Sequence, residues 1–135
     1  MSTGIIVPTV GKAAFIAVMA PSAVSGQVAK PTAIWLSWGT GTTTPAAGDT
    51  AMQVIGTDTT PSVAATVTIQ TVTTTGDTIQ AVGTITCSLG GGEAITELGM
   101  FMNSAGGTML LHAVQNAMNL NQNDSITFTV QIKQS

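Results

Sequence analysis

The side chains able to do chemistry in this chain are few and scattered. It has one histidine, His112, one cysteine, Cys87, and six acids, Asp49, Asp58, Asp77, Glu93, Glu97 and Asp124. A hydrolytic triad needs a nucleophile, a base and an orienting acid. His112 stands in Thr108-Met-Leu-Leu-His-Ala-Val114. Strand alternation puts it on a face with Thr108, Leu110 and Val114, opposite Met109, Leu111 and Ala113. No nucleophile motif accompanies it, so the expected reading is a satisfied or surface histidine. Zinc wants several His or Cys ligands, and the chain offers one of each. Cys87 falls on the apolar side of an alternating run and reads as a small core hydrophobe rather than a reactive thiol.

The acids point the same way. Glu93 and Glu97 are separated by an even number of residues, which on a strand sends both to one face with residues between them. Glu93 reads as turn. Glu97, between Thr96 and Leu98, reads as a buried or interfacial acid that needs a partner. Asp49, Asp58 and Asp77 sit in separate turn-like stretches, and nothing around them resembles a calcium loop. The glycine-rich stretch Gly39-Thr-Gly-Thr-Thr-Thr-Pro-Ala-Ala-Gly-Asp-Thr50 lacks the Gly-Lys-Ser/Thr ending of a phosphate loop and reads as a surface loop. Asn123-Asp-Ser125 fits a glycosylation acceptor, which chance explains in a chain without a signal sequence. These residues imply no cofactor, no metal and no enzymatic activity.

Composition narrows the classes further. The chain has 135 residues, 44 % of them hydrophobic and only 7 % charged, and threonine is its commonest residue. That length fits one domain of ordinary size. Typical soluble domains carry about 25 % charged residues. A surface wetted by hydroxyls and amides costs little to desolvate and suits permanent contact with other protein. The net charge is −3, and the only cations are Lys12, Lys30 and Lys133. Nucleic-acid binding needs clustered cations and is not expected. A lone cysteine allows no intrachain disulfide, so the fold rests on packing. The apolar run Ala13–Ala20 is too short to span a membrane and lacks the basic cluster of a secretory signal.

The elements that must position these residues are strands. The organising stretch is Ala94 to Val114. It reads as two Leu- and Met-rich strands joined by the turn Asn103-Ser-Ala-Gly-Gly107, able to be buried on one face or both. A strand is expected over Thr32–Trp38, with Ile34, Leu36 and Trp38 on one side and Ala33, Trp35 and Ser37 on the other. Met52–Ile55 suggests a short strand. Val63–Val72 alternates, with Val63, Ala65, Val67 and Ile69 on one face, and Thr74–Asp77 makes a hairpin turn. In Thr78–Leu89, Ile79, Ala81, Ile85, Cys87 and Leu89 are expected inside, and Thr78, Gln80, Thr84 and Thr86 outside. Ile126, Phe128, Val130 and Ile132 alternate with Thr127, Thr129, Gln131 and Lys133 after the turn Asn121–Asp124. Residues 1–30 are expected to form an N-terminal arm and linker. Met1–Thr9 would be an arm or edge strand that docks on a neighbour or closes a sheet edge. A short helix or a strand follows near Lys12–Ala20. Residues 31–135 form the main domain. The expected fold is all-β: an antiparallel β-sandwich or jelly roll with an N-terminal arm or short helix.

Four segments together resemble small virion structural proteins of tailed bacteriophages. They are Trp38-Gly-Thr-Gly-Thr-Thr-Thr-Pro-Ala-Ala-Gly-Asp-Thr-Ala51, Ile95-Thr-Glu-Leu-Gly-Met-Phe101, Gly107-Thr-Met-Leu-Leu-His-Ala113 and Asn123-Asp-Ser-Ile-Thr-Phe-Thr-Val130. The resemblance spans about three quarters of the chain, from Lys30 onward. It implies a virion component made in the host cytoplasm. That component would be a capsid cement (decoration) protein or a tail-fibre-associated one, with the major capsid protein and further copies of itself, as homodimer or homotrimer, for partners. No nucleic-acid or membrane partner is implied. Apolar residues outside the clean strands, Ile5, Ile6, Val7, Phe15, Trp35, Met52 and Met118, are the expected contacts.

Overall fold

The structure, a computed structural model, describes residues 2–6, 8, 11, 33–57, 61–72, 75–104 and 107–133. Eight strands follow in order: β1 (Ser2–Ile6), β2 (Trp35–Gly39), β3 (Ser62–Ala64), β4 (Thr66–Gln70), β5 (Thr78–Thr86), β6 (Glu93–Phe101), β7 (Met109–Leu120) and β8 (Ser125–Lys133). They form two antiparallel sheets, a five-stranded one in the order β1-β7-β6-β2-β3 and a three-stranded one in the order β4-β5-β8. The fold is an all-β sandwich.

The expected central hairpin is present. β6 pairs with β7 through Leu98↔Ala113, Gly99↔His112 and Met100↔Leu111, with irregularities between Ile95 and Glu97 and at Phe101. Cross-strand neighbours share a face. One face of the large sheet therefore carries Leu36, Trp38, Leu98, Met100, Leu111 and Ala113. All six join Ala81, Ile85, Cys87, Phe128 and Val130 in the core between the sheets. Fully burying a side chain of this kind contributes about 1.5–3 kcal/mol. Cys87 is a free, fully buried thiol in that core, as its place in the alternation implied.

The opposite face of the large sheet is buried too. Ser37, Glu97, Phe101, Met109, His112 and Val114 lie there. This second covered face explains the unbroken apolar runs Leu98–Phe101 and Met109–Leu111, which do not alternate. Part of its cover is the loop 40–57, whose Gly41, Gln53 and Val54 N–H groups all bond to Glu97.

Several expectations need correction. Val63–Val72 is not one strand in one sheet. β3 pairs with β2 and β4 pairs with β5, and the chain changes sheet at Ala65, whose N–H bonds to the carbonyl of Ile34 at 2.8 Å. Strands that switch sheets make the corners of sandwiches. The strand expected from Thr32 begins at Trp35. Met52–Ile55 contributes only an isolated bridge between Gly39 and Ile55. Thr78, expected outside, is buried, and its hydroxyl donates to Asp77 at 2.9 Å. Ile79, expected inside, is 46 % exposed, because the small sheet extends past the cover of the large one at that end. β8 alternates as expected, with Phe128 and Val130 buried and the Thr and Gln positions exposed. The β4–β5 turn uses Gly76 at φ 71°, a conformation that favours glycine.

β1 takes the edge of the large sheet, with Ile5 opposite Ala113 and Ile6 opposite His112. The helix or strand expected over Lys12–Ala20 lies outside the described residues.

Candidate functional site

Glu97 and His112, the one buried acid and the one buried histidine among the described residues, meet in one place. On β6 and β7, Glu97 pairs with Val114 and Gly99 pairs with His112, so Glu97 and His112 are diagonal neighbours on one face. His112 Nε2 lies 2.7 Å from Glu97 Oε1, and both side chains are fully buried. The other ring nitrogen, Nδ1, lies 2.6 Å from Oδ2 of Asp49, which reaches down from the loop. The order is carboxylate, imidazole, carboxylate.

Glu97 is saturated. Oε1 also accepts from the Gln53 N–H at 2.6 Å, and Oε2 accepts from the N–H groups of Gly41 and Val54, each at 3.1 Å. An ionised carboxylate has about four acceptor positions. All four are filled, by three backbone donors and the imidazole. That is how a charge is held away from water without an orphaned lone pair. Thr96 adds a hydroxyl bond of 2.9 Å to the Gly41 carbonyl, and the Thr40 N–H meets the Val54 carbonyl at 2.9 Å. The loop thus closes as a noose around one carboxylate. Gly41 is required there: a Cβ on it would run into Glu97 Oε2. A second strap holds the far end of the loop, where Glu93 Oε1 accepts from the Thr57 N–H at 3.0 Å.

The electrostatics follow from the contacts. The carboxyl of Asp49 is held below its ordinary value, first by the Ala46 N–H at 2.8 Å, then by the hydrogen bond and charge of His112, against an opposing effect of partial burial.

Both nitrogens of the His112 ring are engaged by carboxylates. A catalytic histidine keeps one nitrogen for its orienting acid and turns the other to a nucleophile. Here both nitrogens end on carboxylates. No group of three or more metal-ligating side chains with suitable geometry occurs among the described residues.

Sequence reasoning singled out Glu97 as an acid in need of a partner and His112 as a satisfied or surface histidine; Glu97 has its partners, and His112 is buried with both nitrogens bonded. It did not join them. The hairpin register was the available signal, since it fixes which residues are diagonal neighbours across the pair. The third member, Asp49, lies 63 residues from His112. Nothing local announces that contact. Asp77 stays apart from the cluster in the β4–β5 turn, and Asp58 lies outside the described residues.

The expected contact residues fall in different places. Ile5 and Ile6 are on the β1 edge. Trp35 and Met52 are half-buried, Trp35 on β2 and Met52 in the loop. Met118 packs against the core between the sheets. Val7 and Phe15 lie outside the described residues. Among the described residues, the exposed large apolar side chains are Val54, Ile55, Val67, Ile69, Val72 and Ile79.

No protein-family model matches the chain, and no curated protein and no solved structure matches it either.

Proposed function

We propose that this chain is a structural, non-enzymatic virion protein of a tailed bacteriophage, one that binds the assembled capsid shell and stabilises it as a cement protein. The observation that carries the reading is the surface. A chain with 7 % charged residues leaves Val54, Ile55, Val67, Ile69, Val72 and Ile79 substantially exposed, on a scaffold whose other exposed positions are largely Thr, Gln, Asn and Ser. Apolar surface that is not hemmed in by charge suits lasting protein contact. The polar cluster at Glu97 supports the same reading, since it rigidifies the loop that displays Val54 and Ile55. The resemblance of the Trp38, Ile95, Gly107 and Asn123 segments to phage virion proteins supplies the partner, the major capsid protein.

Binding that occurs only to the assembled shell stabilises the shell by mass action. Particles carrying the protein are expected to withstand higher temperature or pressure than particles lacking it, read by DNA release on heating. Equal resistance of the two rejects cement function. Density for the chain on the shell lattice in cryo-EM maps is the expected location, and density confined to the tail overturns it in favour of a tail-associated structural role.

A further inference from the structure

Among the described residues, four strands form sheet edges: β1, β3, β4 and β8. An open edge invites another strand, and proteins blunt edges with bulges, charges, proline or brevity. β1 has an irregularity between Ser2 and Gly4, β3 has three residues, and β8 ends on Lys133. β4 has none of these. Its sequence, Thr66-Val-Thr-Ile-Gln70, contains no ionisable residue and no proline, and its register with β5 runs without interruption.

The side chains of β4 are exposed in a particular pattern. Ile69 stands opposite Ile79, which stands opposite Ile132; one row inward, Val67, Ala81 and Val130 align. Ala81 and Val130 belong to the buried core, so both rows face the large sheet. Yet Ile69 is 74 % exposed and Val67 44 %. The apolar face of the small sheet thus runs on to an open backbone edge. On the other face Gln70 donates to Thr68 at 2.7 Å.

We propose that β4 pairs antiparallel with β4 of a second copy about a two-fold axis at Thr68. The strand reads nearly the same in both directions about that residue. The pairing sets Val67 against the partner copy's Ile69, Thr68 against its own counterpart, and Thr66 against Gln70. Each is a favourable cross-strand combination, two β-branched apolar side chains or two hydrogen-bonding ones. Because β4 carries no charge, the axis brings no like charges together. The contact is isologous and closes at two copies. It makes a continuous six-stranded sheet, β8-β5-β4 and its mate, and extends the Val67 and Ile69 rows across the seam.

This inference rests on the reading of the chain as an assembling protein, but its test uses the purified full chain alone, so a failed particle experiment and a failed dimer remain distinguishable. Sedimentation velocity across a wide concentration range is expected to show a reversible species of twice 13.6 kDa. Amide protons of Thr66–Gln70 are expected to exchange more slowly in concentrated than in dilute protein. Ile69→Lys is expected to weaken the dimer on the order of tenfold or more, since it puts two cations beside the seam. Ile55→Lys, at another exposed apolar site, is expected to leave the dimer unchanged. A monomer at every concentration overturns the proposal. So does a dimer that survives Ile69→Lys in a folded variant, or one whose β4 amides exchange at the same rate at all concentrations. The exchange measurement needs no variant and decides the matter if Ile69→Lys fails to fold.

Discussion

At Glu97 four donors converge on one buried carboxylate, and the consequences of removing it can be ranked. Glu97→Ala strands three backbone N–H groups and a histidine ring inside the protein. Leaving a buried donor without its acceptor costs about 1–3 kcal/mol for each group. Asp49 is partly exposed, and Asp49→Ala leaves one buried ring nitrogen of His112 without its partner, so it is expected to cost about 1–3 kcal/mol, less than the loss at Glu97. Urea titration of both variants checks the order, and a larger loss at Asp49 contradicts the geometry. The acid side follows with a definite sign. Asp49 is lowered in the folded protein, so its contribution is complete above the unfolded carboxyl value of 3.8 and is lost as pH falls through the still lower folded value. Asp49→Asn is therefore expected to flatten the stability-against-pH curve below that value.

Among the elements, the loop 40–57 and the strand β8 make opposite demands. The loop turns Val54 and Ile55 outward and is held by Glu97 and Glu93. Its weak point is steric. Gly41→Ala is expected to push the Glu97 carboxylate from its donors and to cost about 1–3 kcal/mol, the usual range for overpacking. Faster amide exchange at Val54 is the accompanying sign. β8 is held by its hydrogen-bonded ladder with β5 and by the packing of Phe128 and Val130 in the core. Phe128→Ala is expected to cost about 3–5 kcal/mol, and Ile126→Ala, at a half-buried site, distinctly less. Thermal melts of the two variants separate a graded core from a uniform one.

For the whole molecule, the scarcity of charge has a measurable consequence. Contacts made by apolar side chains, hydroxyls and strand edges are hardly screened by salt, unlike contacts between exposed charges. Self-association, and attachment to a capsid shell, are expected to change little between low and physiological ionic strength. A steep salt dependence would show that the few charged groups dominate instead, and would remove the basis of the proposed function.

The sequence alone determined the class of fold and most of the strands. Alternation in Ile126–Lys133 and in Ala81–Cys87, together with the glycine turns, is a local record of which side chains meet water. It also marked Glu97 and His112, because a lone acid or histidine in an apolar run must find a partner somewhere. What it left open was decided by contacts distant along the chain. The sheet switch at Ala65 depends on a hydrogen bond to Ile34. The exposure of Ile79 depends on where the opposing sheet stops, and the capture of Glu97 on a noose of backbone donors drawn from residues 41–54. Backbone N–H groups are the same at every position, so no residue type foretells which of them a buried carboxylate will gather.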